Sequence, residues 1–457
     1  MGAIEALRGG GFKGSIIVIS KEGSRPIDRT KLSKALMVDE SKLAWRKPEF
    51  YKDSSIEIVN DEVTGVDLTS KSVSTKSGNK YSYTRLVLAT GGTARSLPLP
   101  GLKKGELKNV FLLRSLQDTQ DIVNALNDSR SDNPTAKNVV VIGSSFIGME
   151  GANCIASMQK HNVTVVGMEE TPLQRVMGDK VGAVFRSLLE KNGVKFYMGA
   201  SVDKATPSDA DKSRVGAVHL KDGTKLPADI VIEGVGIAPA TEFLEGFQKE
   251  QDGSLRTDER FVVQGLPNNQ KNDDEIFAVG DIATYPYHGP GGNGKPVRIE
   301  HWNVAQNAGR SVAATINNKI NPSTSSSSPS AASTTTTTTT SSSTAPKPFI
   351  PIFWSALGAQ LRYCGNTASG YDDIVITGEA DAGKIAAAQP GSDEAKPPSF
   401  AAFYANGEEI VAVATMMRDP VMAQAAELMR RGKMPTKSEI RGGLDLLKVG
   451  LPAEIKI

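Results

Sequence analysis

A chain of 457 residues with 39% hydrophobic content is longer than one ordinary domain and is composed like a water-soluble globular protein. Its 53 basic and 51 acidic residues leave a net charge of +2, so composition makes no electrostatic case for nucleic acid or an anionic membrane. No apolar run approaches the roughly 20 residues that cross a bilayer. Cys154 and Cys364 are too few and too far apart for a CxxC pair or a disulfide framework, which points to a reducing compartment: the cytoplasm, with the mitochondrion left open.

In chain order, residues 1–8 read as the second half of an amphipathic helix with no cap before it, ended by Gly9-Gly10-Gly11. Residues 15–20 then read as a buried strand. A helix feeding a parallel strand normally has another strand ahead of it, so the sequence is expected to enter partway through an α/β unit. A strand at 56–59, a hairpin through 73–83 and a hydrophobic strand at 85–92 that ends in a glycine turn follow. A helix is predicted at 114–126 and a polar linker at 129–135. From 138 to 166 the order apolar strand, glycine turn, helix, second strand makes a complete βαβ unit, and 230–236 closes that region with another strand and turn.

Residues 276–283 again read as strand and turn, and a helix is expected at 303–317. Residues 322–346 are almost wholly Ser, Thr, Ala and Pro and bury too little apolar surface to order, so a disordered insert is expected there. Strands at 373–377, 400–404 and 410–415, a helix at 420–431 and an exposed acidic, Ala-rich loop at 379–397 complete a small α+β unit.

The strongest local motif runs from Val139 to Glu150. A strand, the turn Gly143-Ser144-Ser145 and a helix starting with Phe146, Ile147 and Gly148 suit a dinucleotide, because backbone N–H groups and the helix dipole face its pyrophosphate. Ser145 stands where the middle glycine is usual. An acid near the end of the second strand should meet the adenosine ribose. Gly167 occupies that position here, with Glu169 and Glu170 behind it and Arg175 downstream. Glu169 reaching a ribose speaks for NADH, while room at Gly167 and the charge of Arg175 would admit a 2′-phosphate; both coenzymes stay open. Asp281, after the strand and glycine of Phe277 to Gly280, sits where a polyol hydroxyl could meet a carboxylate.

Together with Pro26 to Lys34, Ala89 to Arg95, Glu300-His301-Trp302 and Phe353 to Gly358, in that order, these segments resemble the pyridine-nucleotide reductases that have two dinucleotide-binding domains. The resemblance is to their apoptosis-inducing-factor-like branch (type 3) and to bacterial ferredoxin reductases. It implies an α/β fold with two Rossmann-like domains, the FAD domain split around the NAD(P)H domain, and a C-terminal α+β interface-like domain. The boundaries it suggests are 1–113 and 241–321 for FAD, 114–240 for NAD(P)H, 322–346 for the insert and 347–457 for the last domain. It also implies that Arg29, Lys34, Arg95, Asp281, Glu300 and His301 touch FAD, with Glu22, Val63, Gly236 and Trp302 among the cofactor contacts and Trp354 stacked on the flavin or nicotinamide. Lys34 and Glu150 would be the catalytic pair between the two rings, the cation stabilising reduced flavin and the carboxylate orienting it. No metal is expected.

The chain departs from that family at Lys21-Glu22, where the adenosine-binding acid is displaced, and in lacking the family's first strand and its GxGxxG loop. On that ground the sequence as written is expected to hold FAD poorly. Without a CxxC beside the flavin, electrons would leave to a one-electron carrier such as a ferredoxin-like or Rieske protein, to a quinone or to oxygen. A redox-responsive signalling protein with little turnover and an inactive product are the other readings. The hydrophobic strands of the last hundred residues would form a homodimer interface or cover the FAD domain.

Overall fold

The computed structural model describes residues 1–129, 136–320, 349–387 and 397–450. The Ser/Thr-rich insert and nearly all of the polar linker lie outside them. One unit is built on a five-stranded parallel sheet in the order Lys195–Tyr197, Asn162–Val166, Asn138–Ile142, Ile230–Glu233, Val110–Leu112. Its central strand is the run Asn-Val-Val-Val-Ile, whose β-branched side chains fill both faces and are at most 5% exposed from Val139 on. Helices Phe146–Ala156 and Gln174–Lys191 cover one face, and a meander of Val202–Pro207, Val215–Leu220 and Lys225–Pro227 packs on the other. Val110–Leu112 pairs in register with Val231–Glu233, so the nucleotide domain takes in a strand that the sequence reading had assigned to the first domain. Helix Leu116–Asn127 follows, started by a reciprocal Ser115–Asp118 capping box.

The first domain is built from two separate parallel pairs, Ile16–Ser20 with Ile56–Asn60 and Leu86–Leu88 with Ile276–Ala278. A small antiparallel sheet of Val63–Asp67, Ser72–Thr75 and Lys80–Ser82 stands beside them. Helix Gly2–Gly9 lies tightly on helix Trp302–Ile320: a Cβ on Gly2 would sit 2.2 Å from the Gln306 carbonyl oxygen, and one on Gly309 2.7 Å from the Ala3 nitrogen. Two connections tie the domains together, because Gly92–Ala94 pairs antiparallel with Ile237–Pro239 where the chain crosses in each direction.

The last domain is a five-stranded antiparallel sheet in the order Ile352–Ala356, Gln360–Gly365, Glu409–Met416, Phe400–Asn406, Asp373–Gly378. Its first two strands were not foreseen, since 352–358 reads as a motif rather than a period-two pattern. Helix Asp419–Arg430 covers one face. The other face closes on the nucleotide domain, where the buried Tyr404 hydroxyl donates to the Met177 carbonyl at 2.9 Å. The apolar strands of this sheet pack on helix Asp419–Arg430 and on the nucleotide domain, and Trp354 of the first strand also meets Trp302 of helix Trp302–Ile320 in the FAD domain. The stretch expected as a loop at 379–397 contains helix Ala382–Ala387, and residues 388–396 lie outside the described set. Among the described residues no helix is long and apolar enough to cross a membrane.

Candidate active site

A cavity of about 1560 Å³ opens between the two strand pairs and reaches the junction of all three domains. That exceeds the ~300–1,000 Å³ of an ordinary small-molecule site, and its walls combine residues from both nucleotide-type domains. Of the residues singled out in the sequence, Glu22, Arg29, Lys34, Val63, Ser145, Phe146, Ile147, Glu150, Arg175, Gly236, Asp281, Glu300, His301, Trp302 and Trp354 line it. Arg95, Gly143, Ser144, Gly148 and Glu169 do not form its wall. Arg95 is the departure that matters: its Nε donates to the Ile237 carbonyl at 3.0 Å, so it ties the domain crossing instead of facing the cavity.

The turn at Gly143 has the form its sequence predicts. Gly143 takes φ +107°, and a Cβ on Gly148 would stand 2.2 Å from the Gly143 carbonyl oxygen, so helix and turn touch backbone to backbone. The Ser145 side chain donates to the Gly234 carbonyl at 3.0 Å and does not cap its own helix. The first N–H groups of that helix are thus left for a ligand at the cavity wall.

At Gly167 the structure corrects the expectation of free room. A Cβ there would lie 2.7 Å from Ser144 Oγ and 2.9 Å from Met198 Cε, so the space is filled. Ser144 instead donates to Glu169 Oε2 at 3.0 Å, and Arg175 Nε pairs with Glu169 Oε1 at 3.0 Å. Glu169 is held back toward the phosphate turn, and the guanidinium is already matched.

At the other end of the junction, Lys34 Nζ lies 2.9 Å from Glu150 Oε1. Lys34 comes from the short helix Thr30–Ala35, and Glu150 from the second turn of the nucleotide helix. The Glu150 carboxylate also accepts from Ser33 Oγ and from Ser355 Oγ, each at 2.5 Å. One carboxylate, only 4% exposed, thereby collects donors from the first and last domains. Neither serine was selected from sequence, because a lone serine carries no pattern; only the fold brings them to Glu150.

Three further ion pairs frame the site. Asp281 Oδ2 meets Arg114 Nη2 at 2.7 Å, and Arg114 Nε donates to the Gly92 carbonyl. Glu300 pairs with Arg298 at 2.6 Å; burial pushes its carboxyl up, and Arg298 pulls it back. Arg298 also donates to the Asp281 carbonyl oxygen, linking the two carboxylate loops. Glu22 pairs with Arg29, whose other nitrogen donates to the Arg114 carbonyl. His301 is pushed down to about 3, first by burial and next by the charge of Lys34, so its imidazole is neutral throughout the physiological range. It packs among Trp302, Phe353 and Trp354, and Trp302 meets Trp354 edge-on at 4.5 Å and Trp45 at 5.6 Å. All three tryptophans of the chain therefore gather on this wall.

This part of the cavity fits a flavin and a nicotinamide: aromatic faces, neutral imidazole, a fixed cation–carboxylate pair and carboxylates at strand ends. The part between the strand pairs offers Ile4, Ile16, Val18, Leu86 and Leu88 instead.

The model for the pyridine nucleotide-disulphide oxidoreductases matches residues 1–309. Apoptosis-inducing factor 3 of Homo sapiens is 32% identical over 438 residues, 95% of this chain, and the chain spans 62% of that protein's length. The peroxisomal monodehydroascorbate reductase 4 of Arabidopsis thaliana is 29% identical over 448 residues, covering 94% of this chain and 82% of that one. A ferredoxin reductase of Rhodopseudomonas palustris superposes with a TM-score of 0.78 at 25% identity, over 98% of this chain and 96% of its own. The reductase of a covalent putidaredoxin reductase–putidaredoxin complex gives 0.77 at 27% identity, over 97% and 94%. The family is one of flavin oxidoreductases that use FAD and NAD(P)H, and this chain belongs to it: it is a member of the pyridine nucleotide-disulphide oxidoreductase family.

Proposed function

We propose that the chain takes reducing equivalents from NADH through FAD and delivers them to a one-electron carrier of the ferredoxin kind. The observation that carries this reading is the Lys34–Glu150 pair, clamped by Ser33 and Ser355 where the cavity meets the Gly143–Ser145 turn. Bound FAD would supply the step from a two-electron donor to a one-electron acceptor. The helix N-terminus at Phe146 and Ile147 orients the pyrophosphate of the coenzyme. Glu169, fixed by Ser144 and Arg175, favours the 2′-hydroxyl of NADH over the charged phosphate of NADPH. Lys34 places a positive charge where electron density increases, and Glu150 holds that ammonium in position. Neutral His301 and the tryptophans exclude water without adding charge.

A dithiol relay does not fit these residues. Burial pushes the Cys154 thiol up to about 11 and the Cys364 thiol up to about 12, so neither is a thiolate near neutral pH. Electrons then leave through the aromatic wall, and similarity to the putidaredoxin reductase of a complex with its carrier supports a small redox protein as acceptor. Monodehydroascorbate, which the names of other relatives suggest, a Rieske protein, a quinone and oxygen are the competing acceptors to be assayed beside it.

The test is anaerobic stopped-flow absorbance on the FAD-reconstituted chain. NADH is expected to bleach the flavin band, and a ferredoxin to restore it. Glu150→Gln, which leaves the ammonium unmatched, should slow bleaching by about 100-fold. Retained flavin that NADH does not bleach would end this reading.

A further inference from the structure

Glu233 is a buried carboxyl that the mechanism above leaves without a task. It is 3% exposed and closes the strand Ile230–Glu233, directly beside Ile142 in the register, one residue before the phosphate turn. It lines the same cavity as Ser145, Phe146 and Gly236. Its Oε1 accepts from the Leu97 backbone N–H at 3.1 Å, on the segment that crosses between the two domains. The next residue, Gly234, gives its carbonyl to Ser145 Oγ, so Glu233 and the turn share one backbone junction.

Among the described residues, no cation on the elements packed around Glu233 is turned to it. Arg95 bonds the Ile237 carbonyl, Arg114 is matched by Asp281, Lys34 by Glu150, and Lys108 is exposed at the far end of the neighbouring strand. The strand Asn138–Ile142 carries no charge at all. Burial pushes the Glu233 carboxyl up to about 7, opposed only by the hydrogen bonds from Leu97 and Ser96. A dinucleotide on the turn would set its pyrophosphate charge close to this group. A carboxylate there repels that ligand, whereas a neutral carboxyl has a proton to donate to it.

We propose that Glu233 binds the dinucleotide as the neutral acid, so that coenzyme binding takes up a proton and weakens as pH rises above neutrality. The inference rests on the nucleotide role proposed for the Gly143 turn. It makes Glu233 a positioning and pH-sensing residue rather than a catalytic one. The proton comes from solvent and remains on the carboxyl, and no bond of the coenzyme changes.

The experiment measures NADH binding by calorimetry from pH 6 to 9 on the full chain, wild type and Glu233→Gln, in two buffers of different ionisation enthalpy. NADH is chosen because its pyrophosphate does not titrate in that range. Wild type should lose close to tenfold in affinity per pH unit above about 7 and take up close to one proton there. Glu233→Gln, a neutral donor of the same shape, should keep the low-pH affinity throughout with no proton uptake. Superimposed profiles, or a glutamine variant that binds weakly at every pH, would overturn the inference while leaving the nucleotide site standing. Absence of NADH binding in both proteins at every pH would remove the proposed function, and the inference with it.

Discussion

In the nucleotide domain Val140, Val141 and Val231 lie mid-sheet and are at most 1% exposed. In the first domain Ile17, on an equally apolar strand, is 40% exposed. Both domains use strands that run into glycine turns, yet one has a continuous five-stranded sheet and the other two pairs facing a cavity. Local strand propensity is the same; what differs is whether both edges of each strand find partners. An unpaired edge leaves N–H and C=O groups to water and its side chains without a second neighbour. The nucleotide domain should therefore be the rigid partner, and the flavin domain the one that opens first.

Native-state hydrogen exchange gives the largest expected contrast. Amides of Ile16–Ser20 and Leu86–Leu88 should exchange on the order of 1,000-fold faster than those of Val139–Ile142, as local opening does relative to a core strand. Equal protection in the two sets would break the contrast between the domains.

A pair of glycine substitutions sharpens it. Gly148→Ala drives a methyl to within 2.2 Å of a backbone oxygen in a turn that has no slack. It should cost about 3 kcal/mol, the upper end of overpacking, and abolish NADH binding. Gly65→Ala, in the open meander of the first domain with nothing within 4 Å of the new methyl, should be close to neutral. Denaturant melts with calorimetry of NADH binding read both; a tolerated alanine at 148 would mean that the turn is looser than its geometry.

These contrasts also explain which features were legible beforehand. The βαβ unit around Gly143 could be read because every residue of strand, turn and helix states its role locally. So could the helix Trp302–Ile320, by its period, and the three long strands of the last domain, by their apolar runs. The Lys34–Glu150 pair came from resemblance, not from spacing: 116 positions separate the two residues, and no period connects them. Ser33, Ser355, Arg114, Arg298 and Glu233 were missed for the same reason. Their meaning lies in which strand ends the topology brings together, and Val110–Leu112 was misassigned because three apolar residues fit either sheet. The filled space behind Gly167 is a tertiary fact of the same kind, since it depends on Met198 from a different strand connection.

The smallest effect separates the two domains by pH. His301 in the flavin half and Glu233 in the nucleotide half are both held neutral by burial, but with opposite consequences for stability. The folded chain binds fewer protons at His301 than the unfolded chain between 6.5 and about 3, so this group makes stability rise with pH across that window. At Glu233 the folded chain binds more protons between 4.5 and about 7, so stability falls with rising pH there and levels off above. Glu233→Gln removes only the second dependence and should stabilise the protein above pH 7, with little change at pH 4. Urea melts at pH 4, 6 and 8 check the sign. A glutamine variant less stable than wild type at pH 8 would show that the ionised carboxylate is held by partners that the buried strand end does not present, and Glu233 would then stabilise its domain as an anion.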